Sequence, residues 1–269
     1  MINFGGKYNF GRNLLAGFFL LLVISPLVSV SQVVGLDNWY NRETNAKTGQ
    51  PFHYLWTDTE NSGYSQWGDL FKKHGASLET VEQAADSKNL EKLNVYIIVD
   101  PDTTTESKSP NYIMPADIKA IKGWVENGGV LVLMANDAPN CEFTHLNLLA
   151  GEFGIHFNHV SLHPVLLRDW NMGAFTSLPD HPVFKGVSKI YMKEISSFNL
   201  KSPAKPILAE KGIVYMAESK AGKGLVIAIG DPWIYNEYID HKMLPADFEN
   251  LKAAVNLTDY ILSNSRKGK

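Results

Sequence analysis

The amino-acid sequence predicts an α/β fold with a doubly wound, mostly parallel sheet. Three observations support this prediction. Short runs of β-branched and aliphatic residues recur without polar interruption, as is typical of strands that are buried on both faces of a parallel sheet. Amphipathic helical patterns lie between these runs, and such alternation favours an open doubly wound sheet. Polar residues follow each run, at the edge where such a sheet binds its ligands.

Four apolar runs are the predicted strands. They are Val33–Leu36, Val95–Val99, Val130–Met134 and Leu225–Ile229. Aspartate or asparagine follows each run, either directly or after one small residue. Because the runs are continuous rather than alternating, we expect helices to cover both faces of these strands.

Three amphipathic stretches are the predicted helices. They are Tyr64–His74, Pro115–Asn127 and Phe248–Leu262. The first stretch places Trp67, Leu70 and Phe71 on one face. Gly75 follows it, and glycine after the last apolar position is typical of a helix C-terminus.

The region of about 156–214 is less regular than the rest of the chain. It contains the prolines Pro164, Pro179, Pro182, Pro203 and Pro206. We interpret it as an insertion or lid with short strands. The whole of 32–269 is predicted to be a single α/β domain, since its length lies near the upper end for one such domain.

Residues 1–31 are predicted to be a secretory signal peptide. Basic residues precede the apolar run Leu14–Ile24, and Ser29 and Ser31 follow it in a small-x-small pattern. The apolar run is short for a membrane span, and an uncleaved anchor is the alternative. No cysteine stands near the expected cleavage site, which argues against a lipoprotein anchor. We therefore expect an exported protein with no stable membrane anchor.

Charge and cysteine content exclude several classes of function. The formal net charge is −3, and the basic residues are scattered apart from a short basic end, so no nucleic-acid surface is predicted. Cys141 is the only cysteine, which rules out an internal disulfide and a cysteine-rich metal site. The predicted fold therefore depends on packing for its stability.

The residues after the predicted strands are the candidate binding residues. They are Asp37, Asn38 and Asn41, then Asp100 and Asp102, then Asn136, Asp137 and Asn140, and finally Asp231, Asn236 and Glu237, with the aromatic residues Trp39, Trp233, Tyr235 and Tyr238 among them. Carboxylates, amides and aromatic faces in one cleft suit a sugar ring, whose hydroxyls need polar contacts and whose C–H faces stack on rings. Turn and cap roles are the alternative for about half of the Asp and Asn residues.

Other chemistries lack their sequence signatures. No glycine-rich loop follows a strand, so no nucleotide cofactor is expected. A nucleophile elbow is missing as well, because the turn after Met134 is Ala135–Pro139, and Cys141 is interpreted as structural. Neither a cofactor nor a metal is predicted, although a divalent cation near Asp100 and Asp102 stays open.

Several motifs resemble those of a bacterial family with a glutamine-amidotransferase-like fold, found in polysaccharide-utilisation loci of Bacteroidetes. The motifs are Leu36–Tyr40, His53–Trp56, Asn61–Gly63, Tyr96–Asp102, Pro110-Asn111, Asn136-Asp137 and Gly230–Tyr238. Relatives of this domain look like partners of the unsaturated glucuronyl hydrolases, glycoside hydrolase family 105. Proteins of this type are also similar to an oligosaccharide dehydratase of ulvan breakdown. The resemblance implies a glutamine-amidotransferase or flavodoxin type of sheet.

The reaction that the resemblance implies is elimination of water from the non-reducing-end uronate of an acidic, ulvan-type oligosaccharide. The product would be a 4,5-unsaturated uronate, which a downstream unsaturated glucuronyl hydrolase consumes. Such steps usually finish in the periplasm, which is the expected compartment. The reaction needs a group that neutralises the uronate carboxylate, a base for the proton on carbon 5 and an acid for the hydroxyl on carbon 4.

Candidate residues for these roles follow from position and chemical type. Proton transfer is assigned to His53 with Tyr235 or Glu237, and His145 and His163 are the reserve bases. The carboxylate grip is assigned to Asn38, Asn136 or Arg168, and the other expected substrate contacts are Asp37, Trp39, Asp137, Asp231, Trp233 and Asn236. For Arg168, a surface salt bridge is the alternative.

Two other functions compete with the dehydratase. A non-catalytic carbohydrate-binding domain that partners a glycoside hydrolase would keep the aromatic and amide residues without needing a base. A glycoside hydrolase would use Glu237 with Asp231 or Asp137 as paired carboxylates, and the distance between the carboxyl groups would decide that.

Overall fold

The fold is described from a computed structural model, which covers residues 1–7, 31–45, 47–239 and 242–266. The apolar run Leu14–Ile24 of the predicted signal peptide lies outside the described residues, as does Ser29. Signal cleavage near Ser31 therefore stays a prediction.

The described chain contains eleven strands and six α-helices. The strands are β1 Val33–Asp37, β2 Ser77–Val81, β3 Val95–Val99, β4 Val130–Met134, β5 Ile155–Phe157, β6 Ala174–Phe175, β7 Ile190–Tyr191, β8 Phe198–Leu200, β9 Lys205–Glu210, β10 Ile213–Ala221 and β11 Gly224–Ile229. The helices are α1 Ser65–Lys73, α2 Ser87–Glu91, α3 Pro115–Glu126, α4 Phe143–Gly151, α5 Asn236–Ile239 and α6 Asn250–Asn264, with short 3₁₀ helices at Trp170–Gly173 and Pro182–Phe184. None of the helices in the described part of the chain is long and apolar enough to cross a membrane.

The main sheet confirms the predicted α/β class and its doubly wound arrangement. Its nine strands follow the order β2-β1-β3-β4-β11-β10-β8-β5, and β9 pairs with β10. The five strands from β2 to β11 are parallel to their neighbours. The remaining pairs are antiparallel. The parallel part thus has the strand order of flavodoxin-like sheets. Successive strands are added on one side of β1 and then, from β3 onwards, on its other side.

Two apolar layers bury the parallel strands from both sides. Along β3, Val95, Ile97 and Val99 pack into the layer that contains α1 and α6. The alternate residues, Tyr96 and Ile98, pack into the layer that contains α3 and α4. Because successive side chains of a strand point to opposite faces, a strand covered on both sides needs an apolar residue at every position. This is why the predicted strands appear as continuous apolar runs.

Helix α1 packs on one face of the sheet through buried aromatic residues. Trp67 and Phe71 are fully buried, and the Trp67 indole donates a 3.1 Å hydrogen bond to Thr258 on α6. The helix ends at Lys73, and Gly75 follows with a φ of +83°, which glycine adopts without a steric penalty. Helix α1 is therefore held against α6.

The segment 156–214, predicted to be irregular, contains short strands that lengthen the sheet. β8 and β5 pair on its far side, and β6 and β7 form a separate two-stranded sheet. β10 runs past the predicted limit to Ala221 and pairs with β11 over six positions. The segment therefore supports β11, one of the strands that carry the strand-end residues.

Candidate functional site

The candidate site lies at the carboxyl ends of β1, β3, β4 and β11. Ligands of open α/β sheets bind at this edge, in the crevice where the strand order reverses. Here the crevice lies between the loops that follow β1 and β3. A buried aspartate lies at or just after the end of each of these four strands, which makes this edge the candidate binding site of the fold.

Asp100 is the central residue of this site. Its side chain is buried, and Oδ2 accepts hydrogen bonds from the Tyr54 hydroxyl at 2.7 Å and from the Asn136 amide at 3.2 Å. Oδ1 is buried without a hydrogen-bond partner among the described residues. Burial raises the pKa of this carboxyl well above its usual value, and the two hydrogen bonds oppose the rise.

Three tyrosines surround Asp100. The hydroxyls of Tyr54 and Tyr235 are 3.5 Å apart, and the ring of Tyr64 lies 5.5 Å from that of Tyr54 and 6.2 Å from that of Tyr235. The Tyr64 hydroxyl donates to the carbonyl of Pro232 at 3.0 Å, which fixes its position. Burial raises the pKa of all three phenols well above the usual value. At neutral pH they are therefore proton donors.

His53 precedes Tyr54 and shares its unusual backbone. Their φ angles are 63° and 50°, in the left-handed region that non-glycine residues seldom adopt. The centroids of the two rings are 5.4 Å apart. Burial lowers the pKa of the imidazole, although Asp58 opposes the shift, and Nδ1 is buried without a partner among the described residues. The imidazole is therefore neutral at pH 7 and is able to accept a proton.

Four carboxylates form an acidic cluster beside the tyrosines: Glu43, Asp100, Asp102 and Glu106. One ligand atom from each of Glu43, Asp100 and Glu106 lies within 4.8 Å of the others. Asp102 accepts the backbone N–H of Arg42 at 3.0 Å through Oδ2, and its Oδ1 is buried without a partner among the described residues. Burial is the main cause that raises the pKa of Glu43 to about 7 and that of Asp102 to about 6, and neighbouring carboxylates add to the rise. Burial also raises the pKa of Glu106.

Glu43 and Glu106 were not candidates from sequence. Each lies six residues beyond the aspartate at the end of its strand, Asp37 or Asp100. Both belong to the loops that flank the crevice where the strand order reverses. This equal separation from the two aspartates is visible in the sequence. It indicates that Glu43 and Glu106 lie close together only when β1 and β3 are known to be neighbours.

Of the predicted site residues, Asn136, Tyr235 and His53 lie in or beside the network around Asp100. Asn136 reaches Asp100 directly, and its Oδ1 also accepts the backbone N–H of Asp137 at 2.9 Å. This second bond fixes the orientation of the amide. Asn136 and Tyr235 thus belong to the network, and His53 adjoins it through the ring of Tyr54.

Asp37 and Asn236 are buried and bonded within the protein. Asp37 accepts the hydroxyl of Tyr96 at 2.6 Å and the backbone N–H of Tyr40 at 2.8 Å. Asn236 donates to the carbonyls of Asp58 and Glu60 and to Ser65, and accepts the N–H of Gln66. Both side chains therefore hold the loops that surround the crevice.

Asp231 and Asp137 lie at the ends of β11 and β4. Asp231 is buried and accepts the backbone N–H of Lys193 at 2.9 Å, and burial raises its pKa to about 8. Asp137 is also buried and accepts the amide of Asn140 at 2.8 Å.

The predicted aromatic contacts differ in exposure. Trp233 is fully buried, with its indole N–H unpartnered among the described residues. Trp39 is half-buried, and the guanidinium of Arg42 lies 5.3 Å from its ring centroid. Trp39 is thus the more accessible of the two rings, and Asn38 beside it is half-buried as well.

The remaining predicted residues have contacts other than those of the network around Asp100. Arg168 is exposed, in a loop where its φ is 59°. Glu237 is half-buried at the start of α5, and its backbone N–H donates to Asn61. His145 stacks on Tyr112, His163 lies 3.1 Å from the Tyr215 hydroxyl, and Cys141 is buried with a raised thiol pKa.

Fold and site together define a doubly wound α/β protein with an acidic, tyrosine-lined crevice where the strand order reverses. The chain belongs to the family described as "Domain of unknown function (DUF4350)", whose model matches residues 57–242. No curated protein matches the chain.

Solved structures share the fold. The mmIFT52 N-terminal domain has a TM-score of 0.65 at 13% identity, covering 86% of this chain and 98% of its own. Cytoplasmic Protein STM1381 from Salmonella typhimurium LT2 has a TM-score of 0.55 at 12% identity, covering 87% of this chain and 100% of its own. Cytoplasmic Protein STM3548 from Salmonella typhimurium has a TM-score of 0.51 at 15% identity, covering 88% and 100%. At these identities the likeness extends to the fold alone.

Proposed function

We propose that this protein is an oligosaccharide dehydratase, a hydro-lyase that acts on the non-reducing-end uronate of ulvan-type oligosaccharides. The observation that carries the proposal is a lowered-pKa imidazole, His53, beside Tyr54, whose hydroxyl lies 3.5 Å from that of Tyr235 and shares Asp100 with the amide of Asn136. These are the groups that elimination of water requires. The product is a 4,5-unsaturated uronate, which suits a downstream unsaturated glucuronyl hydrolase.

In this proposal His53 is the base. Its neutral imidazole accepts the proton from carbon 5, and the electron pair of that C–H bond forms the new double bond as the bond between carbon 4 and its oxygen breaks. A base that is neutral at the working pH is effective because it is already in its accepting form. The departing hydroxyl then needs a proton to leave as water.

Tyr235 is the proposed acid. Its hydroxyl lies in the tyrosine network 3.5 Å from that of Tyr54, which in turn donates to Asp100. The raised pKa keeps the phenol protonated until the leaving oxygen develops negative charge. We favour Tyr235 over Glu237 because the Tyr235 hydroxyl belongs to this network.

Asn136 is the proposed donor to the uronate carboxylate. The charge that develops on this group during proton removal needs a donor that is already oriented. The bond from Asp137 N–H to the Asn136 carbonyl provides that orientation. Trp39 offers a half-buried ring on which a sugar face can stack. These side chains carry the chemistry without an organic cofactor, and the protein works in the periplasm after export.

The test uses purified protein and ulvan oligosaccharides with saturated non-reducing ends, followed by ultraviolet absorbance and mass spectrometry. We expect absorbance from a new double bond and the loss of one water at constant chain length. His53→Asn and Tyr235→Phe should each lower turnover by about 100-fold or more. Asparagine tolerates the left-handed backbone conformation of residue 53, so the His53→Asn variant should fold like the wild type.

The matched controls are His156→Asn and Tyr112→Phe. His156 is exposed on β5, and Tyr112 stacks on His145. Both controls should keep full turnover. Shortened sugars would instead indicate a glycoside hydrolase, and sugar binding without any product would indicate the non-catalytic binding domain; either result would overturn the dehydratase.

A further inference from the structure

We propose that Glu43, Asp100 and Glu106 bind a hard divalent cation such as Ca²⁺. The proposal concerns a binding site that exists with or without sugar. It rests on three features of the acidic cluster: the spacing of its oxygens, the chemistry of the donor atoms, and the buried oxygens that lack a partner.

The spacing of the carboxylates fits one ion of calcium size. Ca²⁺ takes oxygen ligands at about 2.3–2.6 Å, so two ligands of one ion lie at most about 5 Å apart. One ligand atom from each of the three residues lies within 4.8 Å of the other two. All three ligand atoms are therefore close enough together to share one Ca²⁺ ion.

The donor atoms also select a hard cation. All three ligands are carboxylates, and oxygen ligands suit Ca²⁺, Mg²⁺ and Mn²⁺ rather than metals that prefer sulfur or imidazole. Three carboxylates leave coordination positions for water or a substrate oxygen, since Ca²⁺ takes six to eight ligands.

Two buried carboxylate oxygens point to a missing ligand. Oδ1 of Asp100 and Oδ1 of Asp102 are both buried without a hydrogen-bond partner among the described residues, and the two side chains are 3% and 1% exposed. A buried carboxylate oxygen without a partner is costly, and native proteins satisfy nearly all such groups. Asp100 belongs to the set of ligands itself, so a cation bound through its Oδ1 would satisfy that oxygen.

Charge also favours a cation at this cluster. Arg42 attracts Asp102, and its guanidinium lies 5.3 Å from the ring centroid of Trp39. Neighbouring carboxylates of the cluster repel one another when they are ionised, and a divalent ion would convert that repulsion into attraction.

A bound cation would also complete the carboxylate grip, a role that rests on the proposed dehydratase function. Asn136 bonds to Asp100, so an ion held by Asp100 would lie near the proposed donor to the uronate. Its open coordination positions would accept the uronate carboxylate and neutralise its charge. The substrate would thus be an anionic sugar bound through the ion.

The experiment measures cation binding without sugar, so its failure is distinct from failure of the elimination assay. Protein dialysed against EDTA is titrated with CaCl2, MgCl2 and MnCl2 in separate calorimetric and thermal-unfolding experiments. We expect saturable binding of Ca²⁺ with a rise in Tm. Tb³⁺, which replaces Ca²⁺ and is excited through nearby tyrosines, should luminesce and be displaced by CaCl2.

Glu43→Gln and Glu106→Gln each remove one charged ligand at nearly constant shape. We expect each to weaken Ca²⁺ binding by about tenfold or more, because affinity depends on the number of charged ligands. Glu126→Gln, at the exposed end of α3, is the matched control and should bind like the wild type. Circular dichroism in EDTA checks that each variant is folded.

Either of two results would overturn the proposal. One is the absence of heat, of a Tm rise and of Tb³⁺ luminescence with the wild-type protein. The other is unchanged Ca²⁺ binding by both glutamine variants. The wild-type titrations need no variant. They can therefore refute the proposal even if a glutamine variant folds poorly.

Discussion

Asp37 and Asp231 are both buried at strand ends, and their surroundings set their protonation. Asp37 accepts the Tyr96 hydroxyl and backbone N–H groups, yet burial still raises its pKa to about 7. Asp231 accepts the Lys193 N–H, and burial raises its pKa to about 8. In both cases the loss of hydration outweighs the hydrogen bonds that favour the charged form.

The raised pKa of Asp231 has a consequence for stability. An unfolded aspartate titrates near 3.9, so the folded protein holds an extra proton between about pH 4 and pH 8. The stability from neutral Asp231 is fully present below pH 4 and is lost as the pH rises through about 8. Asp231→Asn should remove this loss, since the amide never ionises and its oxygen still accepts the Lys193 N–H.

Thermal unfolding of both proteins from pH 4 to pH 9 checks this prediction. The Tm of Asp231→Asn should exceed that of the wild type by an amount that grows with pH. Each 1 kcal/mol of stability that the wild type loses relative to the variant corresponds to a difference of about 2–4 °C in Tm. Asp37 contributes equally to both proteins, so the difference isolates Asp231. A difference that stays constant with pH would contradict the prediction.

Asn236 is the residue for which a structural role is most directly testable. Replacement by alanine removes the hydrogen bonds that Asn236 makes to the carbonyls of Asp58 and Glu60 and accepts from the N–H of Gln66. We expect Asn236→Ala to lower the free energy of unfolding by about 2–4 kcal/mol, as measured by urea denaturation. Asn199→Ala, at an exposed position on β8, should change it by less than about 0.5 kcal/mol. Equal values for the two variants would refute the assignment.

At the scale of the element, the junction after β11 depends on a close backbone approach. A Cβ atom at Gly230 would lie 2.0 Å from the carbonyl oxygen of Ser196, whose N–H in turn donates to the Gly230 carbonyl. This contact joins β11 to the segment before β8. Because Gly230 directly precedes Asp231, the contact also restrains the backbone at Asp231.

Two glycine variants test this contact. Gly230→Ala should destabilise the protein by about 2–3 kcal/mol or more, because backbone atoms must move apart. Gly123→Ala, in the middle of α3 with nothing within 4 Å of its added Cβ, should stabilise it by up to about 1 kcal/mol. Urea denaturation of both variants measures the contrast. If Gly230→Ala were as stable as the wild type, the contact would not be tight.

At the scale of the whole molecule, the continuous apolar runs were sufficient to predict the parallel sheet, because burial on both faces requires them. Strand β2 was missed, since Ser77–Val81 is half polar at the sheet edge and has the appearance of a loop. The antiparallel strands β5 and β8 were also hard to predict, because strands of three residues carry too little periodicity.

The site was predictable where it depends on strand ends and not where it depends on loops. Asn136 follows a strand directly, so its position at the crevice could be expected. His53 was a candidate base from sequence, but no local pattern indicated that His53 and Tyr54 adopt two consecutive left-handed backbone conformations. Glu43 and Glu106 needed the order of the strands as well.

The position of β11 has a consequence for how the protein is made. In the sheet, β11 lies between β4 and β10, although residues 135–223 separate β4 from it along the chain. Until residues 224–229 have emerged and inserted, β4 presents an unpaired apolar edge to its surroundings. Pairing over such a sequence distance is slow. A nascent chain is therefore open to aggregation through the edge of β4 from the completion of that strand until β11 is added.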